Sequence, residues 1–392
     1  MPRRVNNWIK EYVTHVSTMS ESPSQYHFWS AATVVGAVMK RHVWIGRGTY
    51  RLFPNNYTML VGKPGIGKGA ALNPAIDLLK LSKAAHFMTG RITIEYVLEK
   101  LAGGFGGQMP GSQGQPTIGQ ESSVLLFAPE FNVFATASQH TFRILTDIWD
   151  SKEGEWDYGT RHSGSWAIKD PCVSLLAGCS PEALIELLPS VAVGGGFTRR
   201  VNFVYAKDND QLIPWPDESV SFVHEGLVAD LKHIAMLSGR FDWSPGARRL
   251  FEAYYTVTRT SKEFQDEATA SYDTTRWAHA TKLAMIIAAA QRDTLIIEEE
   301  DFAEATKYID QCSETLKSVF RAVGDSDMAG VTDKVLRFIE IKGMATREEI
   351  LGNNWRHMSG QILDIVLATL VSGGILDEVY SGRTMLYQLR NA

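Results

Sequence analysis

The segment Gly62-Lys63-Pro64-Gly65-Ile66-Gly67-Lys68-Gly69 spaces its glycines and lysine as G-x-x-x-x-G-K. That spacing suits one kind of chemistry. Glycines let backbone N–H groups converge on an anion, and a helix opening at the lysine adds its positive end. Lys68 then reaches the β- and γ-phosphates of a nucleoside triphosphate, with Gly62, Pro64, Gly65, Ile66, Gly67, Gly69 and Ala70 completing the cradle. The residue after the lysine, where a Ser or Thr hydroxyl ordinarily ligates Mg²⁺, is Gly69. ATP and Mg²⁺ are the expected cofactors, with the group that anchors the metal left open.

A second acidic position follows the apolar run Val124–Ala128, in Pro129-Glu130-Phe131. ATPases that activate a water use a carboxylate pair at such a strand end, one acid for the metal and one for the water. Pro129 stands in the first place, so Glu130 alone is the candidate base. Glu121 and Asp150 are alternative acids for the metal.

These residues need a scaffold. Tyr57–Val61, Val124–Ala128, Val173–Ala177 and Val201–Tyr205 are apolar runs alternating with helical stretches, the pattern of a parallel sheet covered on both faces. The expected fold is α/β, a P-loop NTPase core of AAA+-like type over residues 49–215. Residues 1–48 read as helical, with Trp8, Ile9, Tyr12 and Val16 at helical spacing and a second helix from Ser22-Pro23 to about Met39. Residues 216–328 read as a helical lid. Residues 329–392 order three helices before a two-stranded hairpin, as in a winged helix. Residues 103–119, dense in Gly, Gln, Ser and Pro, read as a loop.

Phe53-Pro-Asn-Asn-Tyr57 before the glycine loop resembles a phage and prophage ATPase family described as primase-helicase or replication-helicase proteins. Leu175-Leu-Ala-Gly-Cys-Ser-Pro-Glu182 is similar to that family's sensor strand, and Gly194-Gly-Gly-Phe-Thr-Arg-Arg200 to its glycine-phenylalanine segment ending in arginine. Trp277-Ala-His-Ala-Thr-Lys-Leu-Ala284 resembles the lid of minichromosome-maintenance-type AAA+ helicases. The resemblance spans about residues 20–310 and implies roles. Ser180, or Cys179 beside it, would be the polar sensor. Arg200, with Arg199 adjacent, would be an arginine finger acting on a neighbouring subunit, and Arg276 a second sensor. A finger supplied in trans implies a ring, most simply a homo-hexamer.

Residues 149–168 read as a β-hairpin inserted before the sensor strand, similar to the hairpin that AAA+ helicases project into a central channel. Arg161 and His162 at its tip, with Lys152 at its base, are the expected single-stranded DNA contacts. Arg347, Arg356, His357 and Arg383 leave duplex binding by the winged helix open. The expected activity is an ATP-dependent DNA helicase or translocase of phage or mobile-element replication. The alternative is an ATP-binding loader or origin-binding scaffold with little hydrolysis.

Composition agrees with such a protein. The 392 residues are 44% hydrophobic and 21% charged, with a net charge of −5, so DNA contact must come from local basic loops. The 3 cysteines, Cys172, Cys179 and Cys312, are too scattered for a disulfide framework or a zinc site. With neither a membrane span nor a secretory signal in the sequence, the expected place is the cytoplasm of a bacterial host.

Overall fold

A computed structural model describes residues 2–103, 122–131, 139–160, 164–181, 183–184, 196–215, 224–260, 271–354, 360–382 and 384–390. The chain forms two compact units, Met1–Lys317 and Ser318–Ala392. In chain order the first holds α1 (Trp8–Ser17), α2 (Ser24–Met39), β1 (Val43–Arg47), β2 (Tyr50–Leu52), β3 (Tyr57–Val61), α3 (Lys68–Ser82), β4 (Phe87–Thr89) and α4 (Ile94–Gly103). Next come β5 (Ser123–Ala128), α5 (Gln139–Trp149), β6 (Glu155–Thr160), β7 (Gly164–Lys169), β8 (Cys172–Cys179), a 3₁₀ turn (Thr198–Arg200) and β9 (Asn202–Tyr205). They are followed by α6 (Glu225–Ile234), β10 (Gly239–Trp243), α7 (Pro245–Thr260), α8 (Arg276–Gln291), β11 (Ile296–Ile297) and the long α9 (Glu299–Lys342).

The central sheet has the order β4-β5-β8-β3-β9, every pair parallel. Every residue of β3, β5 and β8 is buried. Unbroken apolar sequence is what a strand needs when helices cover both of its faces. Helix α2 lies in that interior and is buried from Tyr26 to Met39, as expected of a helix apolar on all sides. It approaches the chain before β3 so closely that a Cβ on Gly36 would stand 2.5 Å from the Pro54 carbonyl oxygen.

The first 48 residues are therefore part of the first compact unit rather than a module beside it. They also carry β1, which the helical reading missed. Strand β1 pairs in parallel with β10, from the stretch expected to be helical, in a second sheet of order β11-β10-β1-β2. The division expected at residues 49 and 216 thus runs through one compact unit.

The second unit contains the end of α9, β12 (Met344–Ala345), α10 (Arg347–Asn354), α11 (Gly360–Ser372), β13 (Leu376–Ser381) and β14 (Thr384–Leu389). Its core gathers Val335, Ile339, Ile350, Leu363, Leu367 and Tyr387. The expected three helices and hairpin are present, and β12 adds a third strand beside β14.

Candidate functional site

Parallel strands share one carboxyl edge, and the glycine loop sits there. Val61 is level with Cys179 of β8 and Tyr205 of β9. The loop is pinned at its root. The Gly62 N–H donates to the Cys179 carbonyl at 3.2 Å. The Tyr26 hydroxyl of α2 donates to the Val61 carbonyl and accepts from the Ala206 N–H at 3.1 Å. A Cβ on Gly62 would stand 2.5 Å from that tyrosine oxygen, so a larger residue there pushes the loop off its support. Gly65 and Gly67 have φ of 88° and 86°, the left-handed region that glycine enters without strain.

Helix α3 starts at Lys68, and its N-cap residue Gly67 offers no side-chain cap. The first-turn amides are thus left for an outside anion, with the helix dipole behind them. The Lys68 ammonium donates to the Gly62 carbonyl and, at 3.0 Å, to the Lys63 carbonyl. Gly69 and Ala70 are exposed on the first turn.

Two other expected residues share this edge. Glu130, two positions beyond β5, is exposed and forms no ion pair with a described residue. Its neighbour Pro129 is held tightly, since a Cβ on Gly178 of β8 would lie 2.5 Å from the Pro129 carbonyl oxygen. Ser180 follows β8 directly, and its hydroxyl accepts the Ala183 N–H at 3.2 Å. Lys68, Glu130 and Ser180 therefore stand at the ends of adjacent or next-adjacent strands.

The three arginines lie at the opposite, amino edge. Thr58 pairs with Asn202, so the turn Thr198–Arg200 precedes β9 at the far end of the sheet from Gly62. At ~3.3 Å per residue the separation exceeds about 10 Å. None of these arginines reaches the glycine loop of its own chain.

Two of them also depart from the roles expected of them. Arg200 is only 7% exposed. It donates to Asp150 at 2.9 Å and to the Gly196 carbonyl at 3.1 Å. A finger must present its guanidinium outward, and this one is turned inward. Asp150 is thereby committed at the amino edge, which removes it as a metal anchor for its own loop. Glu121 lies outside the described residues. Arg276 bonds Asp273 at 3.0 Å and also Asp310, with its Nε 3.4 Å from the Tyr254 hydroxyl. It serves as an internal brace.

Arg199 differs. Its side chain is partly buried, with Nε out of contact with solvent, and makes no hydrogen bond or ion pair with a described residue. Burial, and then the charge of Arg200, push its pKa down. Its carbonyl is gripped from α8, by Thr275 Oγ1 at 2.9 Å and His279 Nε2 at 2.8 Å. Burial drives the His279 pKa down to about 3, so the ring is neutral and its Nε2–H donates.

Beside this clamp runs a buried polar chain. Lys282 Nζ donates to Asn55 Oδ1 at 2.8 Å and stands 3.8 Å from the Trp149 ring centre. Asn55 Nδ2 donates to the Trp149 carbonyl at 2.9 Å. Asn202 bridges Asn56 and Tyr272 at 2.6 and 2.8 Å. Asn55 and Asn56 belong to the segment that carried the family resemblance. The roles of Thr275, His279 and Lys282 went unforeseen, although polar residues at helical spacing in an otherwise apolar helix were the available signal.

The expected hairpin is formed by β6 and β7, with Trp156 opposite Ile168 and Tyr158 opposite Trp166. Tyr158 stacks on Trp156 at 5.7 Å and on Trp166 at 6.0 Å. This aromatic face rests on α5, through Trp156 Nε1 to Asp147 at 2.7 Å and the Tyr158 hydroxyl to His140 at 2.8 Å. Lys152 is exposed and 3.5 Å from Asp147. Arg161 and His162 lie outside the described residues, as do residues 104–119 of the glycine-rich loop.

In the second unit, Arg347 donates two bonds to Asp364. Helix α11 has neither Lys nor Arg and exposes Ile365. Arg356, His357 and Arg383 lie outside the described residues.

Neither a protein-family model nor a curated protein matches the chain. Among the described residues, no helix is long and apolar enough to cross a membrane.

Proposed function

We propose that this chain is a P-loop ATPase of AAA+-like architecture that works as a ring on single-stranded DNA. The observation that carries the reading is the strand–glycine loop–helix unit at the carboxyl edge of a parallel sheet. Open α/β sheets bind their ligands at that edge.

The glycine loop fits a triphosphate, with two left-handed glycines, uncapped helix amides and a lysine within the loop. Lys68 would exchange its bonds to Gly62 and Lys63 for phosphate oxygens. Glu130 would orient the attacking water, with Ser180 beside it. Mg²⁺, when bound, would neutralise charge developing on the phosphates. Gly69 and Pro129 bring neither of the usual protein groups to it, so phosphate oxygens and water would hold it.

The guanidinium that completes a site would be Arg199 of a neighbouring copy. Among the described residues its side chain has no hydrogen bond or ion pair, unlike those of Arg200 and Arg276, and its own loop is out of reach. Head-to-tail repetition of that contact generates a closed ring, a hexamer in the simplest case. The β6–β7 hairpin, with Arg161, His162 and Lys152, would contact backbone phosphates of DNA in the channel. The second unit suits protein contact better than duplex DNA, because Arg347 is committed to Asp364.

A second reading is favoured by the residues at Gly69 and Pro129, namely an ATP-binding loader or scaffold with little turnover. One experiment separates the two: magnesium-dependent ATP hydrolysis with and without single-stranded DNA. DNA-stimulated turnover abolished by Lys68→Ala supports the motor. Nucleotide binding without turnover supports the scaffold.

A further inference from the structure

Beside the first two turns of α3 lies a cavity of about 240 Å³. Val16, Met19 and Ser20 form one wall, and Ala70, Asn73 and Pro74 the other. It also touches Gly69, the residue after Lys68, so it is continuous with the glycine loop. Its volume falls below the ~300 Å³ at which pockets for whole ligands begin. It therefore suits one end of a larger molecule whose remainder lies on the loop.

The lining narrows the choice. Val16, Met19 and Pro74 offer apolar contact to a flat ring, and a thioether packs well against aromatic faces. Asn73 is exposed, and its carboxamide has no hydrogen-bond partner among the described residues. Its Nδ2 lies 3.9 Å from where a Cβ on Gly69 would stand, the one close neighbour there among the described residues apart from the adjoining helix backbone. The amide thus overhangs open space on the first turn. A carboxamide carries a donor and an acceptor side by side, the complement of adenine N7 and its N6 amino group. Asp77, one turn further, is held by Lys80 at 2.8 Å.

We infer that this cavity receives the nucleoside end of an adenine nucleotide, with Asn73 reading the base edge. The inference rests on the phosphate-loop reading, and one experiment tests the two separately. The full chain is titrated calorimetrically with ATP, GTP, CTP and inorganic tripolyphosphate. Tripolyphosphate binding reports the loop alone, and the order among the nucleotides reports the cavity. A bidentate amide–adenine pair gives about 10- to 100-fold discrimination, so ATP is expected to bind that much more tightly than CTP. Asn73→Leu should bring ATP down to the CTP level while tripolyphosphate affinity stays unchanged. Equal affinities for the three nucleotides, or full ATP preference in Asn73→Leu, with tripolyphosphate still bound, would overturn the base site alone. Failure of tripolyphosphate to bind would overturn the phosphate loop.

Discussion

His279 Nε2 donates to the carbonyl oxygen of Arg199 at 2.8 Å, from a ring buried to 2% exposure. A helix from the C-terminal half of the first unit thereby fixes the backbone of Arg199, whose side chain makes no hydrogen bond or ion pair with a described residue. Replacing the ring by Leu removes one of the two donors to this carbonyl and leaves it the Thr275 hydroxyl alone. The expected result is a lower kcat with KM for ATP little changed, because on the proposed reading Arg199 would act on charge that develops in the transition state. His279→Gln, which keeps an N–H donor of similar reach, should restore most of the loss. Equal damage by Gln and Leu would mean that the ring matters only for packing.

The two adjacent arginines should separate cleanly on mutation. Arg199→Ala is expected to lower turnover by about 10³-fold or more while leaving ATP binding intact. Mixed with Lys68→Ala protein, it should regain activity at interfaces that combine an intact loop with an intact arginine. Arg200→Ala leaves Asp150 without its partner and should cost roughly 1–3 kcal/mol of stability. Denaturation midpoints read the second effect, and steady-state kinetics of the mixtures read the first. Full turnover in Arg199→Ala would remove it from the site.

Lys282 makes stability depend on pH. Burial pulls its pKa from 10.5 down to about 7, against Cys172 and Asp150, which raise it, and together with Arg200, which lowers it. Between about pH 7 and 10.5 the unfolded chain holds a proton that the folded chain lacks, so this group's contribution to stability rises with pH. Below pH 7 both states are protonated and the contribution is level. Urea midpoints of the wild type and Lys282→Met, compared from pH 7 to about 9.5, should diverge by up to about 1.4 kcal/mol per pH unit. Parallel curves would show that Lys282 does not titrate in this window.

Gly178→Ala tests the carboxyl edge. Its new Cβ would press on the Pro129 carbonyl from 2.5 Å, a backbone atom with little room to retreat. The expected outcome is a displaced Glu130, with turnover reduced more than nucleotide affinity. Single-turnover rates and equilibrium binding on the same protein distinguish this from a general loss of fold.

The hairpin reading is checked with Arg161→Ala combined with His162→Ala. Single-strand affinity should fall, and its dependence on salt should weaken with the loss of phosphate contacts. Unchanged affinity at moderate salt would reject a DNA role for the tip.

Part of this architecture was legible in the sequence. Four strands of the parallel sheet were, because runs such as Ser123–Ala128 are buried throughout and show no alternation. The second sheet was not. Strand β11 has 2 residues and β2 has 3, too few for a period to emerge. The glycine loop was readable because its chemistry is local. The arginine clamp was hidden because its parts come together only in the fold. Asn55 reaches Trp149 across 94 positions and Lys282 across 227. Which of two adjacent arginines faces inward depends on Asp150, 50 positions away.

The bonds from the Lys68 ammonium to the Gly62 and Lys63 carbonyls would compete with a nucleotide bound as proposed. Nucleotide entry would then be an exchange, in which these carbonyl acceptors are given up for phosphate oxygens. Affinity then measures the difference between two occupied states, and the arriving triphosphate must be anionic enough to win the ammonium away. On the proposed reading, a monophosphate would end short of the β- and γ-phosphates that reward this exchange, so the lysine would set a threshold against it.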